Sequence, residues 1–205
     1  AYMRYLKPDL VAPGASVFSA YHDSADGGAT YAQLTGSSMA CAHVVGAAAL
    51  LLQAHPTWNH DQVKAALMAT ARTAGIGTES SPSSQASILA RGSGLVSLAD
   101  AAETPLLFSP PSLTVSQGAA GSSHSLQLVV KDTRETGDSL TYATTISATE
   151  GIIVSAPTSV TIGANGTTTL TMAIEIAAGA APGDQEAELH LMHGQTDVHL
   201  PIWVH

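Results

Sequence analysis

The chain has 205 residues, enough for one large domain or for two of about 100 residues that each bury a core. Apolar residues make up 45% and charged residues only 11%, which excludes the composition of a disordered chain. With 7 Lys and Arg against 16 Asp and Glu the formal charge is −9, a surface that repels phosphate backbones and excludes nucleic acid as a partner.

In chain order, the opening Ala1-Tyr2-Met3-Arg4 has no initiator Met, no signal sequence is visible, and the start reads as that of a fragment or processed product. Residues 8–14 read as a short buried strand ended by the Pro13-Gly14 turn. From Ser38 to Ala54 a nearly continuous run of small and apolar residues predicts a buried helix, stopped at His55-Pro56. Its most apolar stretch, residues 44–52, is far shorter than the roughly 20 residues of a membrane span. A second helix starts at Asn59, with Gln62 as the capping-box partner, and places Val63, Ala66, Leu67 and Thr70 on one face. Residues 75–87 are rich in Ser and Gly and read as a surface loop.

Near Glu103-Thr104-Pro105 the pattern changes to a period of two. Leu126, Leu128 and Val130 alternate with polar residues, as do Leu170, Met172, Ile174 and Ile176, and then Val198, Leu200, Ile202 and Val204. Turn signals stand between the runs, at Gly137, Asn165-Gly166, Pro182-Gly183 and Gly194. The expectation is an α/β portion over residues 1–103, then an all-β sandwich of about seven antiparallel strands over residues 104–205.

Chemistry concentrates in Gly36-Ser37-Ser38-Met39-Ala40-Cys41-Ala42-His43-Val44-Val45-Gly46. A serine at the start of a long helix sits where N–H groups are unpaired and the helix dipole is positive. Those features would stabilise a carbonyl oxygen that gains charge, with the Ser38 N–H as an oxyanion donor. Taken alone, such a serine is more often an N-cap than a nucleophile.

The longer pattern resembles the nucleophile signature of subtilisin-like serine peptidases, Gly-Thr-Ser-Met-Ala-x-Pro-His-Val-x-Gly. Three other segments resemble that family in the same order: residues 7–14, residues 55–58 with 62–68, and residues 92–96 with Ala101-Ala102. The resemblance spans about residues 7–102. It implies Ser38 as nucleophile of a Ser-His-Asp triad on an α/β scaffold, with Gly36, Ser37, Met39 and Ala40 as motif support and His43 in a structural role. Ser37 stands for the usual Thr and Ala42 for the usual Pro, and neither change removes a reacting atom. Chain order in the family is Asp, His, Ser, and no acid or base motif appears here. The resemblance therefore implies the C-terminal part of a secreted endopeptidase whose missing N-terminal half supplies both partners, and the Ser-, Thr-, Gly- and Ala-rich, Lys-poor composition leans toward an exported bacterial protein. The chain alone is expected to be inactive, and the alternative is a non-enzymatic pseudo-protease or a binding or scaffold module. The second half resembles the fibronectin type III-like sandwiches appended to such enzymes.

Other assignments are disfavoured on geometry. His43 lies five residues, hence about 140° of helical rotation, from Ser38, too divergent for a general base. Asp9 suits a turn or salt bridge better than a triad acid. His190 and His193 fall on opposite faces of a strand and lack a third ligand. Asn165-Gly166-Thr167 fits a hairpin turn as well as a glycosylation sequon. Cys41, the only cysteine, is expected to be small and buried. No cofactor or metal is called for within the chain, and structural calcium in the parent is left open. Expected partners are a peptide or protein substrate, the missing half, and self-association through a sheet edge left exposed by the missing strands.

Overall fold

The computed structural model describes residues 6–23, 28–77, 84–116 and 118–205. The opening four residues and the middle of the 75–87 loop lie outside the described residues. A hairpin comes first, β1 (Val17–Asp23) against β2 (Gly28–Leu34), followed by the helices α1 (Ser37–Ala54), α2 (His60–Ala69), α3 (Ile88–Arg91) and α4 (Leu98–Ala102). All nine remaining elements are strands: β3 (Leu106–Ser109), β4 (Leu113–Val115), β5 (Ser123–Asp132), β6 (Leu140–Ala148), β7 (Ile152–Ser155), β8 (Ser159–Ile162), β9 (Thr167–Ile176), β10 (Gln185–His193) and β11 (Thr196–Val204).

These nine strands form a five-stranded sheet, β4-β11-β10-β6-β8, and a four-stranded sheet, β3-β5-β9-β7. Apolar residues at every second position meet between them: Leu128 and Val130, Leu170 and Met172, Leu189 and Leu191, and Leu200 and Ile202 share one core with Tyr142 and Phe108. The strands exceed the expected seven because β4, β7 and β8 have only three or four residues, too few for alternation to show. The sandwich is also not wholly antiparallel, since β4 pairs parallel to β11. Asn165, with φ 54°, and Gly166 turn the chain from β8 in one sheet to β9 in the other, a corner between sheets rather than a hairpin. The tight hairpin is at Gly194, between β10 and β11.

In the helical part, α2 begins as its sequence dictates. The Asn59 side chain accepts from the Gln62 N–H, and the Gln62 side chain accepts from the Asn59 N–H, each at 3.0 Å. Val63, Ala66 and Leu67 of α2 join Ala47 and Leu51 of α1, Ala101 of α4 and Leu107 of β3 in a second core, while Ala69 enters the core of the sandwich. Thus α2 ties the helices to the sheets.

Two expectations change. Residues 8–14 are half-buried and extended but pair only through Val11 with Leu95, whose neighbours supply the hydrogen bonds Val11 N–H to Gly94 O and Val96 N–H to Val11 O. Helix α1 forms over the expected residues yet buries only Ala47 and Leu51 along its length; Val45 is 64% exposed and Leu50 51%. Helices α2 and α4 pack on one side of it, and Val45 and Leu50 are left exposed among the described residues. By length and composition alone, 18 residues of mean hydropathy 1.5, it would also suffice to cross a bilayer.

Candidate active site

The turn before α1 is held by a close backbone approach. The Gly36 N–H donates to the Gly14 carbonyl at 2.8 Å, and a Cβ on Gly14 would stand 2.7 Å from the Gly36 oxygen and 3.0 Å from the Ala40 Cβ. Gly14 therefore serves this contact as well as a turn, and any larger residue would push residue 36 away. Upstream, the Thr35 hydroxyl accepts from the Ser16 N–H at 2.8 Å and closes the base of the β1–β2 hairpin.

Gly36 caps α1, and its carbonyl accepts from the Met39 and Ala40 N–H groups at 3.1 and 3.3 Å. Ser37 and Ser38 occupy the first two helical positions, and their N–H groups make no backbone hydrogen bond among the described residues. Ser38 is exposed. It opens onto a cleft of about 800 Å³ whose walls include Val17, Phe18, Leu34, Met39, His43 and Leu98. Among the described residues the site thus has a hydroxyl and N–H donors without hydrogen-bond partners at a positive helix end, and an apolar trough beside them.

Among the described residues no base is hydrogen-bonded to Ser38. His43 is engaged elsewhere: its Nδ1–H donates to the Met39 carbonyl at 3.0 Å. That bond leaves Nε2 as the unprotonated nitrogen of the neutral ring, on an exposed side chain. Among the described residues no histidine is hydrogen-bonded to the Ser38 hydroxyl. Asp9 sits between two ammonium groups, Lys7 at 2.6 Å and Lys64 at 2.8 Å. Burial alone would raise its pKa, but the hydrogen bonds and charges of Lys64 and Lys7 outweigh it and hold the carboxyl below its ordinary value.

The remaining flagged residues go to separate places. His190 Nδ1 meets Asp197 at 2.8 Å, whereas His193 Nδ1 meets the Thr141 carbonyl at 2.9 Å. Cys41 is exposed on α1, against the expectation of burial, because the face it occupies has no packing partner there. The hairpin β1–β2 gave no sequence signal. Its strands show no alternation, and it stands out from the body with Phe18 and Tyr31 stacked at 5.4 Å between ring centres and both largely exposed.

Residues 2–96 match the subtilase family of peptidases. The chain is also similar to subtilisin-like proteases. The subtilisin-like protease SBT1.5 of Arabidopsis thaliana is 33% identical over 145 residues, 65% of this chain and 19% of that protein. Subtilisin BL of Lederbergia lenta is 48% identical over 67 residues, 33% of this chain and 23% of that one. The chain spans between 9% and 23% of the length of the curated relatives it matches. Among solved structures, WR4, an MSP family member of C. elegans, aligns over 50% of this chain and 100% of its own, at 10% identity and a TM-score of 0.38. A likeness at that level carries no weight.

Proposed function

We propose that this chain is the nucleophile-bearing part of a subtilisin-like serine endopeptidase. Ser38 attacks the carbonyl of a peptide bond and forms an acyl-enzyme that water hydrolyses, with Gly36, Ser37, Met39 and Ala40 holding the turn. The reading rests on one observation: Ser38 lies exposed in the first turn of α1, beside unpaired N–H groups, inside a stretch that matches the subtilase family. The Ser38 N–H donates to the developing oxyanion, and the trough beside α1 receives substrate side chains.

The general base and its orienting acid come from a segment of the longer protein preceding these residues. Without them the Ser38 hydroxyl stays protonated and is a poor nucleophile, so this chain alone does not turn over peptides. The whole protein acts outside the cell on peptide or protein substrates and needs no cofactor for the chemistry. Residues 1–103 are the protease portion, and residues 104–205 a sandwich, fibronectin type III-like in pattern, that serves as its scaffold.

Hydrolysis of an internally quenched peptide library tests this reading. The longer protein should cleave it, its Ser38→Ala variant should not, and the 205-residue chain should match buffer. Turnover by the isolated chain, or an Ser38→Ala variant as active as the parent, would sink the proposal.

A further inference from the structure

Strands β10 and β11 are buried on both faces at their centre. One face enters the core of the sandwich; the other carries Glu188, His190, Asp197, His199 and Trp203 toward the helical part. Two cross-links close the contact. Arg91 at the end of α3 and Glu188 form an ion pair, 3.3 Å from Nη1 to Oε1 and 3.0 Å from Nη2 to Oε2, with side chains only 4% and 9% exposed. The His199 Nε2–H donates to the Ser93 carbonyl at 2.9 Å. Around them Trp203 packs on Leu6 and Ile88, and the Ile88 N–H donates to Glu186 Oε2 at 2.9 Å.

We propose that this junction is a pH-sensitive clasp, closed while His199 is neutral and loosened when the imidazole takes up a proton. Among the described residues the charged or titratable groups around the ring are Glu188, Arg91, His190 and Asp197, with Arg72, Asp100 and Glu103 farther along the adjoining cleft. Glu188 is the nearest anion, but its two oxygens are taken by Arg91, and Oε1 stays 3.8 Å from the imidazole Nε2, beyond hydrogen-bond reach. Arg91 adds a fixed cation held by the Ala86, Gly92 and Ser93 carbonyls. His190, the cross-strand partner of His199, lies 5.6 Å away between ring centres and is itself bonded to the half-exposed Asp197.

Burial is the chief influence on His199 and lowers its pKa from the ordinary value, aided by His190 and Arg91. Glu188 and the Ser93 carbonyl work the other way without prevailing. A histidine held neutral in the closed form stabilises it fully above the ordinary imidazole value of about 6.5, and the stabilisation is lost as pH falls below that. An open cleft of about 540 Å³, lined by His190, Asp197, His199, Arg72 and Asp100, gives protons a route to the ring.

Hydrogen exchange on the 205-residue chain tests the clasp. Between pH 7.5 and 5.5, linkage through one such histidine weakens closure by up to about tenfold. The protection factor of the Ile88 amide should fall toward that limit, while the Leu128 and Leu170 amides in the sandwich keep theirs. The same fall should vanish in His199→Gln, whose amide can donate to Ser93 without titrating. Direct NMR titration of the His199 ring in the unaltered chain should place its pKa below 6.5, a readout that does not depend on the variant's folding. A ring that titrates at or above 6.5, an Ile88 protection factor that stays flat, or a fall that His199→Gln retains would each overturn the proposal.

Discussion

Replacing Glu188 by Gln removes the anion from the Arg91 pair while keeping the shape of the side chain, and so measures what the buried pair contributes. The two charged groups are 3.0 Å apart with side chains 4% and 9% exposed. At an effective dielectric constant of about 20, their Coulomb attraction is about 5 kcal/mol. Removing only one partner strands the guanidinium, which keeps its hydrogen bonds to the Ala86, Gly92 and Ser93 carbonyls but loses its counter-charge. Breaking buried pairs of this kind costs about 3–5 kcal/mol, and we expect Glu188→Gln to fall in that range. Replacing both partners by Met should recover most of the loss, because no uncompensated charge then remains. Urea unfolding followed by circular dichroism reads both values, with an unchanged slope showing that the same surface is exposed. A Glu188→Gln chain within about 1 kcal/mol of the unaltered one would refute the reasoning, since the pair would then behave like an exposed one.

Other expectations are simpler. Asn59→Ala removes the capping box of α2 and should cost about 1 kcal/mol, seen as a drop of a few degrees in the thermal midpoint. Leu200→Ala opens a void at a fully buried position between the sheets and should cost about 2–5 kcal/mol in the same urea assay. Gly92→Ala should destabilise strongly, because φ at residue 92 is 59° and a Cβ there would meet the Pro8 and Asp9 carbonyl oxygens at 2.4 Å. The Asp9 carboxyl, held below its ordinary pKa by Lys64 and Lys7, stabilises the fold above about pH 4, and this is lost as pH falls through its lowered value. Asp9→Asn should flatten that part of the acid-unfolding curve, read by fluorescence.

Residue patterns carried some of these features openly and hid others. Asn59 and Gln62 announced their helix because a capping box is a local device, complete within four residues. Gly36 to Gly46 announced a site because the spacing of a nucleophile, its turn and its helix is also local. The long strands β5, β9 and β11 were legible through Leu128, Leu170 and Leu200, which alternate with polar neighbours along one core-facing side. What the sequence hid depends on distant surfaces meeting. Glu188, His190 and His199 look like the solvent side of alternating strands, and only the docking of Arg91, Ser93 and Ile88 buries them. Conversely, Val45 and Leu50 look like core residues because of their composition, yet they are exposed on a face of α1 that no described element covers. Gly14 read as part of a turn, and its second purpose, room for the Gly36 carbonyl, appears only once the two segments are brought together.

The central claim, that Ser38 is a peptidase nucleophile awaiting partners from a preceding segment, is tested most directly by labelling with a fluorophosphonate and mapping the adduct by mass spectrometry. We predict a phosphonylated Ser38 in the longer protein, and no adduct in the 205-residue chain. Labelling that is absent from the longer protein, or that falls on another residue, would contradict it.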